Sequence, residues 1–260
     1  KEDQGYAHDF VFGVMKPLIR KIADKKIKVI ANAGGVNLEA CRKALEQVAK
    51  EAGVTLKIGT VEGDNLLERE AELRALDIRE MQSGAPLPPK LMSVNAYLGA
   101  FPIAAALDAG ADIVLTGRCV DSAVSLAPLI HAFKWKPTDF DLLAQGSLCG
   151  HLLECGAQVT GGYYYDPGFK DIPDPAAIGF PIAEVHADGR LFITKARRTG
   201  GLVDARTVKE QLIYEVHDPA YYITPDVTLD FTGITVREAG PGGLVLAPDD
   251  LAITQGAAHG

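Results

Sequence analysis

The sequence predicts an α/β protein: a parallel-sheet core with flanking helices, followed by a smaller α+β portion. Two patterns carry this. Short apolar runs that end in turn residues alternate with segments of helical period through the first half. Beyond about residue 166 the period changes to the two-residue alternation of antiparallel strands. The composition agrees, with 260 residues, 47% hydrophobic and 23% charged, as in an ordinary globular chain.

The first strand is "IKVIAN" (27–32), a short apolar run closing on Asn-Ala-Gly-Gly. The helix "LEACRKALEQVAKEAG" (38–53) follows, with Leu38, Cys41, Ala44, Leu45, Val48 and Ala49 at helical spacing, Asn37 as N-cap and Gly53 as C-cap. "LKIGTVEGDN" (56–65) is a second strand, "LLEREAELRAL" (66–76) a helical segment, and "SGAPLPP" (83–89) a loop. "AYLGAFPIAAALDAG" (96–110) is a helix, "ADIVLTG" (111–117) a strand, and "DSAVSLAPLIHAF" (121–133) a helix for which Asp121 is the expected N-cap. "DLLAQGSLCGHLLECG" reads as a helix over 141–155 closed by Gly156. In the second part, "PIAEVHADGRLFITKA" (181–196) is a hairpin around Ala-Asp-Gly. "DARTVKEQLIYEV" (204–216) is a helix capped by Asp204, and "DVTLDFTGITVREAG" (226–240) returns to strands. The expected domains are 1–165, α/β; 166–240, smaller α+β; and 241–260, a tail or the start of a missing segment.

Net charge is −8, which argues against a general nucleic-acid binder, because phosphate contacts need clustered Lys and Arg. No apolar run reaches the roughly 18–20 residues that span a bilayer, so no membrane partner is expected. The chain shows no signal-peptide pattern and does not start with Met, so Lys1 is read as an internal start. Cys41, Cys119, Cys149 and Cys155 follow neither a disulfide framework nor a zinc ribbon, which suits a reducing, cytoplasmic setting.

Four stretches resemble the acyclic terpene utilisation (AtuA-like) family: "NAGGVN" (32–37), "GAFPIAAALDAGADIVLTGRCVDSAVSLAPLIH" (99–131), "GHLLECGAQVTGGYY" (150–164) and "RRTGGLVDARTVKEQLIYEVHDPAYYITPDV" (197–227). The resemblance covers roughly 10–237. It implies a role in catabolism of acyclic terpenes and branched acids through acyl-CoA thioesters, and carries no mechanism. Members typically have a further N-terminal glycine-rich segment, and many a C-terminal ferredoxin-like domain. A ferredoxin-like partner domain or a homo-oligomer is therefore among the expected associations.

Ligands bind parallel sheets at the carboxyl ends of the strands, and four segments are expected to meet there. Asn32, Gly34 and Gly35 follow the first strand, either as a backbone cradle for an anion or as a tight turn. Asp64, in Glu-Gly-Asp-Asn, can hold a hydroxyl or a hard cation with its neighbours, or Asp64 or Asn65 caps the next helix. Thr116, Gly117, Arg118 and Asp121 follow the third predicted strand of this part. An unpaired guanidinium after an apolar strand would be costly, so Arg118 needs a carboxylate or phosphate, and Asp121 can be its partner, a cap or a general base. Cys119 reads as a small buried filler. The fourth segment carries His151 and Glu154 at i,i+3 on one helix face, with Cys155 beside them. They can act as an acid–base pair, as two ligands of a metal needing more from elsewhere, or structurally. Gln158, Thr160, Gly161 and Gly162 form either a ligand-facing loop or a turn into a Tyr163–Tyr165 strand. Thr199 and Gly200, beside Lys195, Arg197 and Arg198, suit the phosphates of a coenzyme A or a solvated hairpin end.

The expected function is an enzyme on an acyl-CoA or carboxylate substrate, of the hydratase type. Arg118 would hold an anion, Asp121, His151 and Glu154 would serve catalysis, and no cofactor or metal is assigned. A non-catalytic binding or scaffolding subunit and a metal-dependent hydrolase are the alternatives.

Overall fold

A computed structural model of the chain describes residues 4–238 and 244–246. It divides into two units, Lys1–Val120 and Asp121–Gly260, so the change of period near residue 166 falls inside the second.

The first unit starts with a π-helical turn, Phe10–Met15, that runs directly into helix α1, Lys16–Lys25. Its buried side chains Val11, Met15, Ile19 and Ile22 form one stripe at helical spacing. Strand β1 (Val29–Ala31), helix α2 (Leu38–Ala52) and strand β2 (Ile58–Val61) follow. Asn37 caps α2 through Oδ1, which accepts from Ala40 N at 3.2 Å, and Gly53 closes it in the left-handed region at φ 67°. A 3₁₀ turn, Leu67–Arg69, continues into the short helix α3, Glu70–Ala75. Helix α4 (Phe101–Asp108) leads to strand β3 (Ile113–Thr116).

The three strands make a parallel sheet in the order β1-β3-β2, with Ile113 opposite both Val29 and Ile58. The last strand in sequence takes the centre, and all its residues are buried. That is why "ADIVLTG" reads as a continuous apolar run rather than an alternating one. Ile113 and Leu115 pack with Cys41, Leu45 and Val48 of α2 and with the helical stripe. Each large aliphatic side chain buried here contributes roughly 1.5–3 kcal/mol.

The second unit opens with helix α5, Ala123–Phe133. The expected cap moves: Ser122 occupies the N-cap position in helical conformation without a side-chain cap bond, and Asp121 lies outside the helix. Helix α6, Phe140–Leu153, is buried along Leu143–Leu152, with no solvent face in that stretch. Gly146 lies against Leu126, Leu129 and Trp135, and Gly150 against the Ser122 backbone, so the two glycines bring α5 and α6 into close approach. A 3₁₀ turn, Gly156–Gln158, follows, and residues 161–164 are turns, not a strand.

Strands β4 (Pro181–Val185) and β5 (Leu191–Lys195) form the expected antiparallel hairpin. Helix α7 (Ala205–Leu212) has a full capping box, in which Asp204 accepts from Arg206 N and Thr207 N while Thr207 Oγ1 accepts from Asp204 N. β6 (Tyr222–Ile223) and β7 (Thr228–Leu229) pair with each other. β8 (Val236–Glu238) and β9 (Leu244–Leu246) complete an antiparallel sheet in the order β4-β5-β9-β8. Leu244–Leu246, within the stretch expected to be a tail, thus pair between β5 and β8; 241–243 and 247–260 lie outside the described residues.

Candidate functional site

The second unit assembles an acid–base cluster at the C-terminal end of α6. His151 is 1% exposed and Glu154, one turn on, 11%. The imidazole Nε2 lies 3.2 Å from Leu212 O at the end of α7. A carbonyl only accepts, so Nε2 carries the proton and donates. Nδ1 then presents its lone pair 3.1 Å from Glu154 Oε1, without the alignment of a formed hydrogen bond. A lone pair facing an ionised carboxylate at that distance is repulsive. A proton between Nδ1 and Oε1 would relieve that repulsion, so the geometry suits a pair that exchanges one.

Neighbouring groups pack around this pair. The rings of Tyr222 and Phe231 sit 5.7 and 5.6 Å from the His151 ring, and 5.2 Å from each other. Gln211 on α7 is fully buried, and its Nε2 donates to His151 O at 2.8 Å. Its Oε1, and the hydroxyls of Ser122 and Ser147, are buried without a hydrogen-bond partner among the described residues. Buried polar atoms are nearly always bonded, so these are open to a further hydrogen-bond partner.

The charged side chains that act on Tyr222 are Glu154, Asp121 and Glu215; burial and these carboxylates push its hydroxyl up to about 12. The same carboxylates add to the rise that burial causes at Cys155, which a hydrogen bond from Gln211 opposes. Cys155 is therefore held as a thiol, which removes the basis for a nucleophile there. All the cysteines are free, and burial pushes Cys41 up to about 11 and Cys149 up to about 12. Iodoacetamide at about pH 8 is expected to leave Cys41 and Cys149 unmodified in the native protein and to label them in urea, as counted by mass spectrometry. Native labelling of either would contradict the burial described.

The first unit carries a cleft of ≈ 610 Å³ that gathers Gly35, Asp64 and Gly117 from the ends of β1, β2 and β3. Its lining includes the carboxyl groups of Glu39, Glu62, Asp64 and Glu68 and no lysine or arginine, which disfavours an anionic ligand. Hydrogen bonds from Arg42 hold Glu39 at about 2, so it stays charged. Gly34 N is already committed to Thr116 O at 3.0 Å, and the buried Thr116 hydroxyl donates to Gly117 O at 2.9 Å. Asn32 is exposed.

Asp64 ties this edge together. Its Oδ2 accepts from Asn95 Nδ2 and from Arg118 N, both at 2.9 Å, and a side chain at Gly117 would collide with its carboxylate. Asp64→Ala is expected to cost about 2 kcal/mol in urea unfolding, because it strands two donors; a change below about 0.5 kcal/mol would contradict this role. The Arg118 side chain is exposed. The desolvation cost expected to demand a partner for it does not arise, because only its backbone is drawn into the Asp64 contact.

The remaining loop residues are engaged in packing. The Thr160 hydroxyl lies 3.0 Å from Ala157 O and 2.5 Å from Gly179 O, and Thr160 O accepts from Leu202 N at 2.8 Å. Gly161, at φ 109°, lies against Ile172, and Gly162 N donates to Ala157 O at 2.9 Å. Thr199 Oγ1 donates to Ala196 O, and Gly200 N to Ala177 O, each at 2.7 Å. Gln158 differs, since its Nε2 is buried without a partner among the described residues.

The structure thus brings His151 and Glu154 together in the second unit, while Asp121 is exposed ahead of α5. It brings Asp64, Gly117 and the Arg118 backbone together in the first. Sequence reasoning missed Gln211, Glu215, Tyr222 and Phe231. Residues 197–227 held the first three, but nothing in their spacing links them to a helix some sixty residues earlier, such as Gln211 to His151 at a separation of 60. Among the described residues no group of three or more His, Cys, Asp or Glu side chains could hold a metal ion, and no helix is long and apolar enough to cross a membrane.

A family model described as "Acyclic terpene utilisation family protein AtuA" matches residues 1–246. Neither a curated protein nor a solved structure matches.

Proposed function

The chain belongs to the acyclic terpene utilisation family, and on that premise we propose that it is an enzyme that adds water to, or removes it from, a branched intermediate carried as an acyl-CoA thioester or free carboxylate. The observation that carries the proposal is the contact of His151 Nδ1 with Glu154 Oε1, 3.1 Å apart, with His151 buried and Glu154 nearly so. Nε2 is occupied by Leu212 O, so the transferable proton is on the Nδ1–Oε1 side, where Glu154 retains some exposure. In one direction the pair gives its proton to a leaving hydroxyl and is restored by the proton lost from the adjacent carbon; in the other it takes up the proton that an attacking water loses and supplies one to that carbon.

The acid–base assignment falls on His151 and Glu154, and the exposed Asp121 keeps a catalytic role only as a proposal. Arg118 keeps the role of anion holder only as a proposal, since its exposed guanidinium is able to meet a carboxylate or phosphate without being forced to. The exposed Arg197 and Arg198 offer the same for a coenzyme A phosphate.

The test is isotopic. The protein is incubated in oxygen-18 water with pairs of branched tertiary alcohols and alkenes, as free acids and as coenzyme A thioesters. Label entering the alcohol pool is the expected result, read by mass spectrometry. No label in any pair would retire water addition and removal as the reaction.

A further inference from the structure

We propose that the cleft at the carboxyl ends of β1, β2 and β3 is a binding site for a small alkylammonium ion, its head held by Asp64 Oδ1 in the field of Glu62 and Glu68. The site lies wholly within the first unit. It therefore stands or falls apart from the water-addition reading, which concerns His151 and Glu154 in the second.

Position and size are those of a ligand site. Parallel sheets take ligands outside the carboxyl ends of their strands. Gly35, Asp64 and Gly117 bring the three strand ends to one cleft of ≈ 610 Å³, within the usual range of small-molecule sites.

Asp64 supplies an observation that does not depend on the charge of the lining. It is 7% exposed, and a carboxylate buried that far is costly where its oxygens lack donors. Both donors that it meets, Asn95 Nδ2 and Arg118 N, go to Oδ2 at 2.9 Å. Oδ1 has no hydrogen bond among the described residues. A side chain at Gly117 would run into this same Oδ1, so the oxygen stands over a glycine that lines the cleft. A buried carboxylate with one oxygen unsatisfied at the base of a cleft is matched by a ligand that brings a donor.

The sign of the field makes that donor a cation. Glu62 and Glu68 are exposed on the lining. The arginines that follow them in the chain are committed elsewhere, Arg69 to Glu72 at 2.7 Å and Arg74 to Glu70 at 2.6 Å. The positive end of α2 also opens on the cleft, but Asn37 caps it, and Glu39 stands in its first turn. The cleft thus attracts positive charge. A bare metal ion does not fit, because among the described residues no three such side chains converge on one point. An ammonium ion needs no convergence: it bonds one carboxylate and gains from the others at a distance. Leu38, Leu67 and Met92 give its alkyl chain an apolar wall to cover.

Methionine-methyl NMR tests the proposal. Of the three methionines only Met92 lines the cleft; Met15 is buried in the core, and Met81 is exposed outside it. Protein labelled with carbon-13 at the methionine methyls is titrated with hexylammonium chloride, hexanol, sodium hexanoate and methyl ribofuranoside at neutral pH. Hexylammonium is expected to shift Met92 saturably, to leave Met15 and Met81 in place, and to bind about tenfold or more tighter than hexanol, with hexanoate weakest. Glu62→Gln with Glu68→Gln is expected to weaken the ammonium by about five- to tenfold, and Asp64→Asn by at least as much, while hexanol moves little. Circular dichroism checks the fold of each variant; should Asp64→Asn not fold, the paired glutamine variant decides alone. Met92 unmoved by about 20 mM hexylammonium overturns the proposal. So does hexanol or hexanoate binding as tightly, or ammonium affinity unchanged in the paired glutamine variant. Riboside binding tighter than ammonium overturns it as well, and makes the cleft a polyol site.

Discussion

Glu154→Gln is expected to lower the oxygen-18 incorporation rate by about 10²- to 10³-fold while leaving the unfolding midpoint nearly unchanged. The substitution keeps the shape of the side chain, and Glu154 stands at the helix C-cap with 11% of its side chain exposed, so little packing is lost. What changes is the proton. A glutamine amide facing Nδ1 satisfies it by donating, and holds no proton that can be passed on. His151→Asn should lower the rate comparably, and the double variant should be little worse than either single one, because the two residues act as one proton-holding unit. Additive losses would mean two separate roles. A rate within about threefold of the parent would remove Glu154 from the chemistry.

Gly150→Ala is expected to destabilise the protein by about 2 kcal/mol or more in urea unfolding. In an ordinary exposed helix the same change would stabilise by about 1 kcal/mol. Here a Cβ would sit 2.5 Å from Ser122 Cα and 2.6 Å from Ser122 O. Both are backbone atoms, so no rotamer change relieves the collision and α5 has to move. His151 is the next residue, and Asp121 precedes the displaced Ser122, so activity should fall with stability. Gly13→Ala is the control. Its Cβ would meet nothing within 4 Å, and the outcome there should range from neutral to a gain of about 1 kcal/mol. Equal effects at the two positions would show that α5 and α6 do not approach through Gly150.

The local pieces of the fold were legible because each rests on a rule about neighbours in sequence. Asn37 and Asp204 cap helices as expected, since capping needs only a side-chain oxygen within three residues. The hairpin of β4 and β5 follows from alternation around Ala-Asp-Gly. The helix of Lys16–Lys25 and the π-helical turn before it were passed over, although Val11, Met15, Ile19 and Ile22 carried the period. The cap assigned to Asp121 failed: Ser122, packed against Gly150, holds the N-cap position in helical conformation, so Asp121 lies one residue outside α5.

His151 and Glu154 could be paired from sequence because one helical turn separates them. Arg118 was drawn in by a desolvation cost that its exposure cancels. Helix and strand periods, caps, the hairpin turn, the acidic balance and the i,i+3 pair were determined by the sequence itself, because they are fixed by interactions that reach only a few residues along the chain. Only the tertiary structure decided that β3 takes the centre of its sheet, that Leu212 O sets the His151 tautomer, and that Tyr222, Phe231 and Gln211 close around it. Those contacts join residues far apart in the chain, and their energy comes from burying surfaces and polar groups together, which no local pattern encodes.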